Sequence, residues 1–213
     1  MSNSALASII MLSPNSSPRT AEIDTITIHH MACKATAEVC AVSFMPTARR
    51  ASANYCIGYD GSVALSVPED RRSWCSSNRE NDDRAITIEC SNDGGDPDWH
   101  VSDTTLNKLV ELCVDICQRN NIGKLTFTGD TSGNITLHKW FTNTACPGPY
   151  LESKMPWIAE EVNKRLGVVK EEPAIYRVQV GAFLTKSFAE KLRDELREAG
   201  YADAFITETE ATV

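Results

Sequence analysis

Two of the four histidines stand where a metal ion could use them. His29 closes the alternating run Thr25-Ile26-Thr27-Ile28, and His138 is followed eight positions later by Cys146 in HKWFTNTACPGPY. Imidazole nitrogen together with thiolate sulfur suits Zn2+, and three protein ligands leave the fourth position to water, the pattern of catalytic rather than structural sites. Such an ion lowers the pKa of its water to about 7 and polarises a carbonyl. A second run, Ala85-Ile86-Thr87-Ile88-Glu89, repeats the alternation of the first. In each, the isoleucines face one way and the terminal His29 or Glu89 faces the other. Side by side in one sheet, both groups would emerge at strand ends on the same face, where a carboxylate can pass a proton from water to a leaving nitrogen. Blander readings stand beside these. A histidine after a strand is more often a packed residue, Glu89 can be a solvated strand end, and the His138–Cys146 spacing is not one of the short motifs that specify zinc.

The elements that would position these groups follow from periodicity and punctuation. Residues 23–28 read as a strand delivering His29 and His30, and residues 85–90 as another. Thr36 is placed to cap a helix running to about Phe44. Asp60-Gly61 is a strong turn pair, so residues 55–67 read as a hairpin. Ser102 or Asp103 caps a long helix with Leu106, Leu109, Val110, Cys113 and Cys117 on one stripe, ending near Asn120-Asn121. Residues 124–128 read as a strand. Pro156 reads as the start of a last helix, with Ile158, Val162 and Leu166 on one face and Gly167 as its stop. Strands alternating with helices predict an α/β layered domain over residues 1–166. A linker at 167–174 leads to a small β-α-β unit over 175–213. In it the strand YRVQVGAF precedes a helix at 187–199, with Phe188, Leu192 and Leu196 inward, and a second strand at 204–207.

Length and composition bound the function classes. A chain of 213 residues holds one ordinary domain and something small, and 42% hydrophobic with 23% charged residues excludes a largely disordered chain. With 21 Lys plus Arg against 29 Asp plus Glu, the net charge of −8 argues against nucleic acid or anionic membrane as a partner through bulk charge, while leaving room for a local basic patch. No apolar run approaches the roughly 20 residues of a membrane span. The eight cysteines are spread through strand and helix patterns and read mostly as reduced core residues of a reducing compartment. The start, MSNSALASIIML, has no basic n-region and no clear cleavage site, so no secretory signal is expected.

The motifs ITIHHMA, ASANYCIGYDGSV, RSWCSSN, AITIECSN and LHKWFTNTACPGPYL occur in this order. Over residues 20–166 the chain thereby resembles the type-2 N-acetylmuramoyl-L-alanine amidases, which include phage endolysins and bacterial autolysins and are related to peptidoglycan recognition proteins. The resemblance implies a central mixed β-sheet flanked by helices, with a zinc site in a surface groove. It also implies hydrolysis of the amide joining the lactyl group of N-acetylmuramic acid to L-alanine. Carried over motif by motif, His29, His138 and Cys146 are the zinc ligands and Glu89 the catalytic carboxylate. Thr144 falls at the place of a residue that touches the tetrahedral intermediate. His30 would line the groove or support a ligand, and Trp74 would touch substrate, with simple packing as the alternative for each. Two departures stand out. Ala53 occupies the place of the recognition branch's catalytic tyrosine, which leaves Tyr55 as core. Cys75 replaces the histidine of a frequent Trp-His pair.

The tail resembles one repeat of a SPOR-type peptidoglycan-binding domain, a fold built from two β-α-β repeats that binds glycan strands. Within it Arg177, Gln179 and Phe183 are the residues to watch. One repeat can hardly bury a core alone, so pairing of two tails into a homodimer is expected, with docking on the chain's own amidase domain or a truncated remnant as the alternatives. The expected protein is a zinc amidase acting on bacterial peptidoglycan. It would be an endolysin of phage or prophage origin, held in the host cytoplasm before release to the wall. The rivals are a host autolysin and a non-catalytic peptidoglycan receptor.

Overall fold

The protein, described from a computed structural model, is defined for residues 2–168 and 178–208. It divides into two compact units, Met1–Val169 and Lys170–Val213. In the first unit, strands β1 (Ile9–Ile10), β3 (Thr25–His30), β4 (Tyr55–Ile57), β5 (Val63–Leu65), β7 (Ala85–Cys90) and β8 (Ile135–Leu137) form a sheet in the order β1-β5-β4-β7-β3-β8. All pairings are parallel except β4 with β5, the hairpin expected around Asp60-Gly61. Strands β2 (Ser16–Pro18) and β6 (Arg71–Ser73) make a separate antiparallel ribbon. The helices are α1 (Ala37–Ser43), α2 (Arg79–Arg84), α3 (Asp103–Arg119) and α4 (Pro149–Arg165). This is the mixed sheet flanked by helices that the sequence implies.

Alternation sorts the two faces of the sheet. Ile26 and Ile28, Ile86 and Ile88, Ile135 and Leu137 are all fully buried and form one core with Leu106, Leu109, Val110, Cys113 and Ile116 of α3 and Leu151, Met155, Ile158 and Val162 of α4. On the opposite face, Ala37, Cys40, Ala41 and Phe44 from α1 and its C-cap pack on Cys56 and Ala64. Helix starts follow the expected caps: Val39 N–H donates to Thr36 Oγ1 and Thr105 N–H to Ser102 Oγ, each at 3.3 Å. The long helix ends at Arg119, with Asn121 in the left-handed region at φ 56°.

Three expectations are corrected. The last helix of the first unit begins at Pro149 rather than Pro156. Proline at the first helical position loses no hydrogen bond, and Pro156 lies within the helix on its exposed side, where water can satisfy the carbonyl it leaves unpaired. Residues 124–128 are not a strand. Leu125 instead exchanges two 2.8 Å hydrogen bonds with the Asn163 side-chain amide of α4, and the place beside β3 belongs to β8. In the second unit, α5 (Lys186–Glu198) forms. Residues 178–183 and 204–207 have no ladder partner among the described residues. Leu192 and Leu196 are half-buried while Phe188 is exposed. Arg177, most of the linker and the start of the tail strand lie outside the described residues.

A buried carboxylate ties the sheet to α3. Glu69 is fully buried and accepts from Arg119 Nη2 at 2.6 Å, Arg119 Nη1 at 2.8 Å, Tyr55 Oη at 2.6 Å and Asn120 Nδ2 at 3.1 Å. Tyr55 is core, and burial beside Glu69 pushes its hydroxyl pKa up. Arg119→Ala strands the Glu69 charge and is expected to cost about 3–5 kcal/mol of unfolding free energy, measured by chemical denaturation. A loss within error would mean that Glu69 does not depend on this arginine.

Candidate active site

Three parallel strands carry the same motif in register. Ile26-Thr27-Ile28 pairs with Ile86-Thr87-Ile88 on one side and with Ile135-Thr136-Leu137 on the other. One step further, His29 lies opposite Glu89, and His138 begins the short 3-10 turn His138–Trp140 that follows β8. The polar row beneath is satisfied within itself. Thr27 and Thr136 hydroxyls meet at 2.9 Å, Asn81 Nδ2 donates to Thr27 Oγ1 at 2.9 Å, and Thr87 Oγ1 lies 2.7 Å from Ser73 Oγ. Asn54 Oδ1 accepts from Thr87 N–H at 3.1 Å. With every hydroxyl in this row engaged, the strand ends are held rigidly.

His29 and His138 rings lie 4.6 Å apart, and Cys146 Sγ is 3.6 Å from His29 Nδ1. Ligand atoms of His29, His138 and Cys146 all lie within 4.8 Å of one another. Cys146 is seated from both sides of its backbone: Lys139 N–H donates to its carbonyl at 3.0 Å, and its own N–H donates to Thr144 Oγ1 at 3.3 Å. His30 N–H points at Cys146 Sγ at 3.4 Å. The His30 ring is nearly buried and stands edge-on to Trp99 at 5.3 Å. Trp74 is partly buried, with Nε1 donating to Ser17 Oγ at 3.3 Å. It lines a groove of about 510 Å³ with Arg50, Arg72, Cys75, Arg79 and His138. Gln179 and Phe183 lie in the second unit, both exposed.

The electrostatics favour neutral groups. Burial, then His138 and His30, hold the His29 imidazole well below the usual histidine range. Burial, then His138, brings His30 to about 4, and burial also lowers His138. Burial and then Glu89 push the Cys146 thiol up. Burial raises the Glu89 carboxyl to about 8, against smaller opposing effects of Arg49 and Cys75. His29 Nε2, His138 Nε2 and Glu89 Oε2 are buried with no hydrogen-bond partner among the described residues. Neutral imidazoles with unpaired nitrogens, a thiol and a shielded carboxyl make a donor set suited to a borderline-soft dication, whose charge would draw the thiol proton off.

Two features escaped the sequence reading. The strand before His138, Ile135-Thr136-Leu137, repeats the apolar-Thr-apolar pattern of the other two and was legible as such. The arginines of the groove form the local basic patch that bulk charge hid.

A cluster of side chains that could hold a metal ion thus lies beside a buried carboxyl at the strand ends of an α/β sheet. The chain belongs to the N-acetylmuramoyl-L-alanine amidase family, whose profile matches residues 19–149, and residues 164–212 match the SPOR domain. It is therefore a peptidoglycan amidase by family, and both domains direct it to peptidoglycan and so to the cell wall. No curated protein sequence matches. Among solved structures, PlyL is 20% identical with a TM-score of 0.58, over 72% of this chain and 95% of that one. An AmpD derivative is 18% identical with a TM-score of 0.55, over 77% and 96%. The Staphylococcus aureus hydrolase AmiA, solved with its ligand, is 18% identical with a TM-score of 0.57, over 79% and 95%. These likenesses are of fold. Among the described residues no helix is long and apolar enough to cross a membrane.

The raised Glu89 pKa has a sign that stability measurements can read. Between its ordinary value of 4.5 and about 8, the folded metal-free protein holds a proton that the unfolded chain has released. The contribution of Glu89 to stability is therefore greatest at low pH and is lost as pH rises through that window. In metal-free protein, the stability of Glu89→Gln relative to wild type is expected to increase from about pH 5 to about pH 8, as followed by thermal melting. A pH-independent difference would contradict the buried carboxyl.

Proposed function

We propose that the chain is a zinc-dependent N-acetylmuramoyl-L-alanine amidase, with His29, His138 and Cys146 as the metal ligands. The observation that supports this most is the convergence of three in-register strand ends on His29, Glu89 and His138, each with one buried polar atom that has no hydrogen-bond partner among the described residues. When bound, zinc supplies Lewis acidity toward a carbonyl oxygen and makes water more acidic. Beside a bound dication the Glu89 carboxyl would give up its own proton; as the carboxylate it takes a proton from the attacking water and delivers it to the nitrogen of L-alanine as the amide bond breaks. Thr144 accepts the Cys146 N–H, which leaves its own hydroxyl hydrogen to donate to the substrate oxygen as that oxygen gains charge. Trp74 and the groove arginines would hold the substrate, the guanidinium groups suiting the carboxylates of the stem peptide.

We read the SPOR tail as a wall-binding module acting through Arg177, Gln179 and Phe183, on the domain division 1–166, 167–174 and 175–213. Val178 is 87% and Leu184 98% exposed in it, which supports pairing with a second tail in a homodimer. We also read the protein as an endolysin of phage or prophage origin, held in the cytoplasm before release. Cys90, Cys113 and Cys117 pack as free thiols in the core, as synthesis in a reducing compartment would allow.

Mass spectrometry of digested cell wall is expected to reveal new free L-alanine amino termini beside intact glycan. Glu89→Ala should lose about 10²–10⁴-fold in rate, the usual worth of a positioned acid–base, while retaining metal. His138→Ala should lose metal and activity together. Full activity in Glu89→Ala would remove that residue from the mechanism. Deleting residues 174–213 should weaken wall binding more than it slows cleavage of a soluble muramyl peptide, and equal losses would contradict a targeting tail. Light scattering on the size-exclusion peak should give a dimer mass; a monomer with a folded tail would defeat the pairing.

A further inference from the structure

His29 belongs to a second group of donors. With Cys75 and Glu89 it again brings ligand atoms within 4.8 Å of one another. Cys75 Sγ lies 3.9 Å from Glu89 Oε1, and two residues of this group carry buried atoms with no hydrogen-bond partner among the described residues, His29 Nε2 and Glu89 Oε2. The loop that presents Cys75 is held by Asp82, whose carboxylate accepts from Cys75 N–H at 3.1 Å and from Ser76 N–H at 3.0 Å. Thiol, imidazole and carboxylate are the ligands of Zn2+ and Cd2+, whereas an all-oxygen set would suit Mg2+ or Ca2+.

We propose that Cys75, Glu89 and His29 form a second site for thiophilic divalent cations, and that filling it inhibits the enzyme. Cys75 binds there as the thiolate, its proton passing to solvent. The ion occupies Glu89 oxygens that carry the proton in hydrolysis, and it draws on the His29 ring, whose Nδ1 lies toward Cys146 Sγ and whose other nitrogen is left for a second ion. Excess zinc, or cadmium, then acts as an inhibitor at a place distinct from the ion needed for activity. The inhibitory effect rests on the reading of Glu89 given above; the binding does not.

The test is a cadmium titration of the full-length chain carrying one equivalent of zinc, following the ultraviolet thiolate-to-metal charge-transfer band in wild type, Cys75→Ser and Glu89→Gln. Wild type should show two steps. Cys75→Ser should keep the Cys146 step and lose the other. Glu89→Gln should keep both, with the second moved to cadmium concentrations at least about tenfold higher, the scale of weakened metal support. A second step unchanged in Cys75→Ser, or a single step in wild type, overturns the site. If circular dichroism shows Cys75→Ser to be unfolded, Cys75→Ala and Glu89→Gln carry the same comparison. Excess zinc, scored against each variant's own one-zinc optimum, should inhibit wild type and require at least about tenfold more for Cys75→Ser; equal sensitivity overturns the inhibitory role. Because cadmium binding is read without substrate, two steps in a protein that cleaves no peptidoglycan would preserve the site and sink the amidase reading. A single step in a fully active amidase would do the reverse.

Discussion

A parallel ladder determines which residues stand side by side. Here it sets Ile26, Ile86 and Ile135 in one row, Thr27, Thr87 and Thr136 in the next, and Ile28, Ile88 and Leu137 in a third. His29 and Glu89 then emerge together beyond the last row, with His138 at the end of the neighbouring strand. A slip of one residue would send the isoleucines into the polar network and the imidazole into the core. Six large apolar side chains on one face therefore enforce the alignment that the chemistry on the other face requires. The threonine hydroxyls contribute by pairing with one another and with Asn81, Asn54 and Ser73, so that these hydroxyls are buried without being orphaned.

Burial also sets the chemical state of the centre. The same desolvation that lowers the three imidazoles and raises the thiol and the carboxyl leaves each group neutral and poorly hydrated. Such a pocket is costly to charge from solvent and well matched to a dication that brings compensating charge with it. The groove alongside has a different character: Arg50, Arg72 and Arg79 outnumber Asp82 along it, in a chain whose net charge is −8. A local cationic surface within an acidic protein favours a carboxylate-bearing ligand at one place while leaving the rest of the surface repulsive to polyanions.

Much of this was legible in the residues. The alternation in TITIH and AITIE gives the faces of both strands, the caps Thr36 and Ser102 give two helix starts, and Asp60-Gly61 gives the hairpin. These are local signals, each read within a few residues of its cause. The errors came where a local signal had a nonlocal competitor. Residues 124–128 have a strand-like composition, yet Asn163, distant in the chain, takes the Leu125 backbone bonds. Pro156 looks like a helix start, but Gly148-Pro149 provides an earlier one and exposure makes the inner proline tolerable. The basic groove was invisible because its arginines come from separate segments and are outnumbered in the total charge.

By itself the sequence determined which residues could bind a metal or carry a proton, and which face of each strand they would occupy, because side-chain alternation is a property of the strand alone. Only the tertiary structure decided that His29, Glu89 and His138 share one end of one sheet, that Cys146 folds back against His29, and that Cys75 reaches the same carboxylate. Those juxtapositions depend on strand order and on loops closing over more than a hundred residues, and no local pattern encodes a distance between segments so far apart.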